Sequence, residues 1–394
     1  MPFPAFDAID PLNLEALLTD EERAVRDTVR QYLDDKVEPH IADWFEAGEL
    51  PDLPELAREF GKMGLLGMHL EGYGCAGLPA RAYGVACREL EATDSGLRSF
   101  VSVQGSLAMF AIHRFGSQEQ KEEWLPRMAA GEAIGCFGLT EPDHGSDPAS
   151  MTTRARRDGG DWVLDGRKMW ITNGSVAAVA VVWARDEEGV VRGFVVPTDS
   201  PGFSAPLVKH KMSLRASVTS ELVLDGVRLP ESARLPAARG VGAPLTCLNE
   251  ARYGIVWGVT GAARSAWRAA RDYALQREQF GKPIAGFQLT QQKLVDMALE
   301  LHKATLTALQ LSALKDSASG VHPAQISFGK LNNVREAIEI CRTARTVLGA
   351  NGISLEYPVI RHANNLESVL TYEGTTEMHT LALGQALTGH AAFR

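Results

Sequence analysis

The stretch Tyr372-Glu373-Gly374-Thr375-Thr376 has the residue types of a proton-abstracting site. Apolar residues flank it on both sides, namely Leu366, Val369, Leu370, Met378, Leu381 and Leu383. This pattern predicts that the Glu373 carboxylate lies at the edge of an apolar cavity, where desolvation would raise its pKa and favour a role as general base. Gly374 allows a ligand to approach the backbone, and Thr375 can cap the helix that follows. A capping loop whose glutamate faces solvent fits this stretch equally well.

A second candidate segment covers residues 136–148 and combines hydroxyl groups with exposed backbone amides. Such a loop can hydrogen-bond a planar heteroaromatic ring, and residues 170–174, which include Trp170, can cover another side of that ring. Together the two segments predict a site for a flat, amphipathic cofactor. The alternative is a polar loop beside a core tryptophan in a hairpin.

The spacing of apolar residues divides the chain into three parts that must position these segments. The first part, residues 1–133, has helical spacing from Thr19 to about Arg127, and this helical stretch begins with a capping box at Thr19 and Glu22. Residues 134–240 contain short β-rich runs separated by turn signals such as Asp165-Gly166 and Asp225-Gly226, which predict a small β-barrel or sandwich. Residues 241–394 return to long helices, which we expect to form a four-helix bundle. The predicted fold is therefore α+β and multidomain.

Composition limits the possible functions. The 394-residue chain is 45% hydrophobic and 23% charged, as in soluble globular proteins with two or three domains. A net charge of -9 without a basic cluster argues against nucleic-acid binding. The five cysteines lack metal-ligand spacing, so we expect buried thiols and no metal. Because we find neither a membrane-length apolar run nor a targeting pattern, we expect a cytosolic protein, or a mitochondrial matrix protein if this is a processed eukaryotic form.

Several motifs resemble those of the FAD-dependent acyl-CoA dehydrogenases: Leu139-Thr140-Glu141-Pro142, Trp170-Ile171-Thr172-Asn173, Arg277-Glu278-Gln279-Phe280-Gly281, Leu348-Gly349-Ala350-Asn351-Gly352 and Tyr372-Glu373-Gly374-Thr375. They occur in the order and spacing of that family, over nearly the whole chain. The resemblance implies an α-domain, β-domain, α-domain architecture with FAD between the middle domain and the C-terminal bundle. It also implies a homotetramer whose reduced flavin is reoxidised by electron-transferring flavoprotein.

Further segments, at residues 94–99, 211–217, 249–254 and 360–367, resemble the branch of the family that acts on glutaryl-CoA. In this resemblance Arg98 matches the arginine that binds the substrate's terminal carboxylate. A buried carboxylate must be paired, and a guanidinium can meet it with a bidentate contact. Glu91 matches the acidic residue of the same pocket, and Ser99 matches a neighbour of the substrate tail. By itself, an arginine in this context is more often a solvated helix residue.

The resemblance also implies a reaction. Glu373 would remove the proton next to the thioester carbonyl while a hydride leaves the next carbon for flavin N5. The backbone N–H of Glu373 and the flavin ribityl hydroxyl would stabilise the developing enolate. The product glutaconyl-CoA would lose carbon dioxide, and Glu373 would return the proton to give crotonyl-CoA. Tyr372 and Thr172 match positions of the decarboxylating members. Other implied substrate contacts are Ser146, Asn249, Arg252 and Gly374.

The cofactor contacts implied by the resemblance lie in both halves of the chain. They are Phe137, Leu139, Thr140, Gly145, Ser146, Trp170, Ile171, Thr172, Arg277, Phe280, Gln288, Leu348, Gly349, Ala350, Thr375 and Phe393. Two other functions stay open from the sequence. One is a dehydrogenase for a different short-chain or dicarboxylic acyl-CoA, and the other is a non-redox lyase or binding protein for CoA thioesters.

Overall fold

The computed structural model describes residues 6–392, so Phe393 lies outside the described residues. Contacts divide the chain into two compact units. The helical unit contains residues up to 42 together with 79–95 and 255–367, and the sheet unit contains 43–78, 96–254 and residues from 368 onward. The three-domain division at residues 133 and 240 stays a prediction.

The first third of the chain is helical, as predicted. Thr19 caps the first long helix with both hydrogen bonds of the expected capping box, Glu22 N to Thr19 Oγ1 at 3.2 Å and Thr19 N to Glu22 Oε2 at 2.8 Å. The helices are α1 (Asp20–Lys36), α2 (Ile41–Ala47), α3 (Leu53–Lys62), α4 (Ala80–Thr93), α5 (Ser95–Ser102), α6 (Phe110–Phe115) and α7 (Gln118–Ala129).

A π-helical segment, Val103–Met109, joins α5 to α6. The buried amide of Gln104 in this segment donates to the carbonyls of Met128 and Ala133 at 3.0 and 2.9 Å, and its oxygen accepts from Gly135 N at 2.7 Å. These bonds use both amide hydrogens and the oxygen of a buried side chain, and they tie the π-helical segment to the start of the sheet. Helix α5 is thereby held at a fixed distance from the first strand.

The middle of the chain forms one seven-stranded sheet. Its strands are β1 (Gly135–Gly138), β2 (Arg154–Asp158), β3 (Asp161–Thr172), β4 (Val179–Arg185), β5 (Val191–Pro197), β6 (Phe203–Ser204) and β7 (Thr219–Pro230). The strand order is β1-β4-β2-β3-β7-β6, with β5 paired to β4. Strands β1 and β4 are parallel, and β3 and β7 are antiparallel. The apolar core of the sheet includes Leu164, Val182, Phe194 and Leu222.

Two of the predicted turns are wrong. Asp165-Gly166 and Asp225-Gly226 lie inside β3 and β7, which are 12 residues long each. Gly166 has φ of 150° and sits at a register shift of the β3–β7 pair. A Cβ at this position would lie 2.6 Å from the Thr153 hydroxyl oxygen, so the glycine marks a bulge with close packing rather than a chain reversal.

Long helices resume at Gly242, close to the predicted position. They are α8 (Gly242–Gln276), α9 (Gln288–Lys315), α10 (Pro323–Val347), α11 (Pro358–Thr371) and α12 (Thr376–Thr388), with a small hairpin of β8 (Glu278–Gln279) and β9 (Lys282–Pro283). In the helical unit, the buried Asn333 amide donates to the carbonyls of Val256 and Ala304 at 2.9 Å each and so joins α8, α9 and α10. No helix among residues 6–392 is long and apolar enough to cross a membrane.

Candidate active site

Glu373 lies in the short turn between α11 and α12. Its φ is 53°, in the left-handed region that side chains other than glycine rarely adopt, and Gly374 follows with φ of 99°. Thr375 caps α12 as predicted, because its Oγ1 accepts from Met378 N at 3.3 Å. The Oε2 atom of Glu373 is buried. The residue as a whole is half-buried, so the interpretation of a solvent-facing carboxylate fails for this oxygen.

The backbone carbonyl of Glu373 is anchored by side chains from α8 and α12. Arg252 Nε donates to it at 2.7 Å, and the Nε2 atom of buried His379 lies 3.3 Å from it. Arg252 is oriented in turn by Asn249, whose Oδ1 accepts from Nη1 at 3.2 Å. Burial lowers the pKa of the Arg252 guanidinium, and the nearby charge of Glu373 opposes that decrease. Asn249 and Arg252, predicted to line a thioester channel, thus lie against the turn that carries Glu373.

Arg98 is a fully buried cation on α5, with 0% of its surface exposed. Its Nη2 donates to the Tyr372 hydroxyl, and its guanidinium carbon lies 5.7 Å from the centroid of the Tyr372 ring. Ser99, the next residue, is buried as well. The interpretation of Arg98 as a solvated helix residue is therefore wrong, and the structure brings this cation to the residue that precedes Glu373.

In the helical unit, the turn between α4 and α5 is held by buried polar contacts. Asp94 accepts from Arg361 Nη1 at 3.1 Å and from Asn365 Nδ2 at 2.8 Å. The fully buried Glu91 accepts from Ser95 Oγ at 2.8 Å. Sequence reasoning used these segments only as motifs and missed that Asp94 pairs with Arg361. The pair fixes the end of α4, which carries Glu91, and the first residue of α5.

The loop after β1 and the end of β3 are bound together by a buried ion pair. Lys168 Nζ lies 2.8 Å from Glu141 Oε1 and donates to the Leu139 carbonyl at 3.2 Å. Beside this pair, Met169 N donates to the Thr140 carbonyl at 2.8 Å. Since Leu139 and Thr140 are predicted cofactor contacts, the Glu141–Lys168 pair sets the shape of a predicted binding loop.

Burial and neighbouring groups shift the pKa values of both residues in this pair. Burial alone would raise the pKa of Glu141, but Lys168 and the donors of Thr152 and Thr153 lower it to about 2. Burial lowers the pKa of Lys168 to about 8. Sequence reasoning missed the role of both residues. The burial of Lys168 could have been predicted from the two-residue period of a strand, which places Lys168 on the same face as buried Leu164.

Trp170 projects from a bulge at the end of β3. The β3–β7 register shifts between Lys168 and Ile171, and Trp170 inside that shift has φ of 63°. Its side chain is 58% exposed, whereas Ile171 is buried and Thr172 is half-buried. The alternative of a core tryptophan is therefore wrong. A strained residue that exposes a large aromatic surface is typical of a ligand contact.

The remaining predicted cofactor residues of the sheet unit differ in exposure. Gly145 and Ser146 are exposed in the loop after β1. Phe137 is buried, with its ring 5.9 Å from that of Trp183, and Leu139 is buried too. Both side chains are buried in the sheet unit, and their contact with a cofactor stays a prediction.

In the helical unit, predicted cofactor residues lie on exposed turns. Phe280 is 95% exposed at the tip of the β8–β9 hairpin and has φ of 51°, followed by Gly281 with φ of 78°. Both positive φ values suit a two-residue hairpin turn. Arg277 and Gln288 flank this hairpin and are exposed. Residues 349–350 are exposed as well, while Leu348 is buried.

Comparison with known proteins agrees with this arrangement. The chain matches the acyl-CoA dehydrogenase N-terminal domain over residues 19–132, the middle domain over 136–227 and the C-terminal domain over 238–388. A probable acyl-CoA dehydrogenase of Bacillus subtilis is 33% identical over 377 residues, which is 94% of this chain and 98% of the relative. The chain belongs to the acyl-CoA dehydrogenase family. The resemblance inferred from the motifs and the predicted fold class are confirmed.

Two solved structures are closely similar to this acyl-CoA dehydrogenase. A crystal structure of glutaryl-CoA dehydrogenase from Mycobacterium smegmatis is 70% identical, with a TM-score of 0.96, and the match covers 98% of this chain and 99% of that one. A glutaryl-CoA dehydrogenase from the same organism in complex with FADH2 is 62% identical, also with a TM-score of 0.96, over 99% and 100% of the two chains.

A stability prediction arises from the Glu141–Lys168 pair of this acyl-CoA dehydrogenase. Glu141→Gln leaves a buried ammonium without its carboxylate, and we expect a loss of about 3–5 kcal/mol in the free energy of unfolding at pH 7, measured by denaturant titration. Below pH 4 the difference from the wild type should shrink. The folded pKa of Glu141 is about 2, below an unfolded value of about 4.3, so the stabilisation is complete above the unfolded pKa and is lost as the pH falls toward 2.

Glu221→Gln is the matched control for this prediction. Glu221 lies on the partner strand β7 and pairs at 3.3 Å with Arg167, whose side chain is 64% exposed. An exposed pair of this kind contributes about 0–1 kcal/mol. Equal losses in the free energy of unfolding of the two variants would show that the buried Glu141–Lys168 pair stabilises the fold no more than the Glu221–Arg167 pair does.

Proposed function

We propose that this acyl-CoA dehydrogenase uses FAD to oxidise glutaryl-CoA and then decarboxylates the product to crotonyl-CoA. The observation that carries the proposal is the fully buried Arg98, in contact with the residue before Glu373. A site for apolar acyl tails gains nothing from a buried cation, whereas a dicarboxylic acyl thioester has a terminal carboxylate that must be paired where it is buried. A guanidinium can bind that carboxylate with a bidentate contact. The similarity to glutaryl-CoA dehydrogenases supports the same substrate.

In this proposal Glu373 is the base that removes a proton from the carbon next to the thioester carbonyl. Its turn is fixed by Arg252 and by the Thr375 cap, so the carboxylate is held in place before the substrate arrives. The backbone N–H of Glu373 donates to the thioester oxygen, where negative charge develops as the proton leaves. FAD, when bound, supplies the acceptor for the hydride that leaves the adjacent carbon.

The residues of both units suit FAD by their chemistry. In the sheet unit, exposed Trp170 offers a flat aromatic face, and Thr140 and Thr172 offer hydroxyl groups for polar ring edges. In the helical unit, exposed Arg277 offers a cation for the pyrophosphate, and exposed Phe280 offers an apolar face for an adenine ring. The remaining proposed contacts are Gly145, Ser146, Ile171, Gln288, Leu348, Gly349, Ala350 and Thr375.

Decarboxylation follows from the position of the double bond in glutaconyl-CoA. The bond to the terminal carboxylate breaks, carbon dioxide leaves, and the electron pair delocalises over the unsaturated thioester as a dienolate. Glu373 carries the proton it removed and is placed to return it to the terminal carbon, which gives crotonyl-CoA. Tyr372, beside the Arg98 guanidinium, and Thr172 are proposed contacts of this step.

We also propose a homotetramer in the cytosol that passes its electrons to electron-transferring flavoprotein. Exposed apolar side chains of the helical unit support assembly, namely Phe280, Leu289, Val295, Leu299 and Phe328. Val295 and Leu299 are four residues apart on α9 and therefore share one face of the helix.

If the turn at residues 348–350 holds the cofactor of a neighbouring subunit, dilution to monomers releases FAD. Sedimentation followed at both protein and flavin wavelengths tests this.

Anaerobic titration with a panel of thioesters tests the function. We expect a yellow protein whose flavin absorbance is bleached by glutaryl-CoA, with about one equivalent of carbon dioxide trapped per turnover, as one carboxylate leaves each substrate. Faster bleaching by butyryl-CoA would favour a short-chain dehydrogenase instead. A colourless protein that fails to bind added FAD would favour a non-redox protein acting on CoA thioesters.

A further inference from the structure

A buried histidine on α12 contacts the peptide that carries Glu373. His379 is 3% exposed, and its Nε2 lies 3.3 Å from the Glu373 carbonyl oxygen. A carbonyl oxygen only accepts hydrogen bonds, so Nε2 carries the proton and donates it. This hydrogen bond joins the ring to the main chain of the turn that carries Glu373.

Gly374 leaves the space that this histidine occupies. Its φ of 99° is a left-handed value that glycine adopts without strain. A Cβ at Gly374 would lie 2.7 Å from His379 Nε2, too close for the ring to stay where it is. A side chain at position 374 would thus disturb the backbone and also push the imidazole away from the carbonyl. The observed position of the His379 ring therefore requires glycine at position 374.

The conformation of Glu373 requires such support. A non-glycine residue in the left-handed region costs about 1–3 kcal/mol and persists only where its surroundings hold it. Two donors from different helices meet at its carbonyl, Arg252 Nε on α8 at 2.7 Å and His379 Nε2 on α12 at 3.3 Å. Together they fix the plane of the Glu373–Gly374 peptide. Because the backbone conformation sets the Cα–Cβ direction, these contacts also set the direction in which the Glu373 side chain leaves the main chain.

We infer that His379 is a positioning residue that holds Glu373 in its left-handed conformation, with Arg252 as the second donor. The inference rests on the proposed role of Glu373 as base. His379 touches neither substrate nor cofactor in this scheme, and its effect on the reaction passes through the Glu373 peptide. The positioning role predicts that the reaction rate depends on the N–H donor of His379, and that a side chain of similar volume without a donor does not maintain the rate.

Two substitutions distinguish the effect of the N–H donor of His379 from the effect of its side-chain volume. His379→Leu fills the space without a donor, whereas His379→Gln retains an N–H group of similar reach. We expect His379→Leu to slow anaerobic flavin reduction by saturating glutaryl-CoA about 10-fold to 100-fold, since small displacements of a reacting group have effects of that order. KM should change less than about threefold, because uniform substrate binding is kept. His379→Gln should recover most of the rate. His390→Gln, at an exposed position after α12, is the matched control.

A second readout does not depend on turnover. Hydrogen exchange of the peptide covering residues 372–379, measured without thioester, should be faster in His379→Leu and close to wild type in His379→Gln. A wild-type rate of flavin reduction in His379→Leu overturns the inference. So does an equal loss of rate and of thermal stability in both variants, because that indicates a purely structural residue.

The two proposals fail in different ways. If glutaryl-CoA leaves the wild-type flavin oxidised while butyryl-CoA bleaches it, the proposed substrate is wrong, and the His379 variants are compared with butyryl-CoA. If Glu373→Gln reacts at the wild-type rate, the base is wrong and the inference falls with it. Unchanged hydrogen exchange in His379→Leu removes the positioning role whatever the substrate.

Discussion

Glu373→Gln is expected to lower the rate of anaerobic flavin reduction by glutaryl-CoA by about 10²- to 10⁴-fold, the usual contribution of a positioned general base. Glutamine has nearly the same shape as glutamate, but its amide cannot accept a proton from carbon. The turn keeps these anchors, because Arg252 and His379 contact the backbone carbonyl of residue 373, which the substitution leaves in place. Stopped-flow absorbance at saturating thioester measures the rate directly.

Glu377→Gln is the control for this experiment, since Glu377 is an exposed carboxylate in the first turn of the same α12. It should react as the wild type does. FAD content and the affinity for a non-reacting thioester should be unchanged in both variants, which would assign the loss to the chemical step. A Glu373→Gln variant that reduces its flavin at the wild-type rate would remove Glu373 as the base.

The parts of the site that depend on neighbours in sequence were predictable. The helix cap at Thr375 follows from a short-range rule, because an N-cap hydroxyl needs only the amide three residues ahead. The carboxylate of Glu373 between apolar runs also pointed to a buried site, and its Oε2 is buried. The left-handed φ of Glu373 was not predictable, because propensities favour glycine there and only the contacts from α8 and α12 override them.

Contacts across long stretches of chain were not predictable from the residues. Lys168 and Glu141 meet only because β3 folds beside the loop after β1, and His379 in a helical sequence gives no sign that its ring reaches the turn before it. Local rules also failed at Gly166, where a turn signal proved to be a bulge, since tertiary packing against Thr153 decided the outcome. The family resemblance identified Arg98, whereas an arginine in this sequence context would by itself be interpreted as a solvated helix residue, and Arg98 is fully buried.

Arg98→Gln is expected to change the choice of substrate. If the guanidinium pairs with the terminal carboxylate of glutaryl-CoA, removing one partner of a buried charge pair costs about 2–5 kcal/mol, or roughly 30- to 4,000-fold in kcat/KM. Butyryl-CoA has no carboxylate, so its kcat/KM should stay within about threefold of wild type, because uniform apolar contacts are unaffected. The ratio of the two substrates is therefore the quantity to measure.

Two further variants separate charge recognition from damage to the pocket. Arg58→Gln on α3 removes an arginine whose side chain is 53% exposed, and it should leave both substrates unchanged. Tyr372→Phe removes the hydroxyl that accepts from Arg98 but keeps the cation and the ring beneath it, so we expect a smaller loss with glutaryl-CoA than in Arg98→Gln. Equal losses for glutaryl-CoA and butyryl-CoA in Arg98→Gln would mean that Arg98 only supports Tyr372. Selective loss with glutaryl-CoA is the outcome expected if the buried guanidinium binds the terminal carboxylate of the substrate.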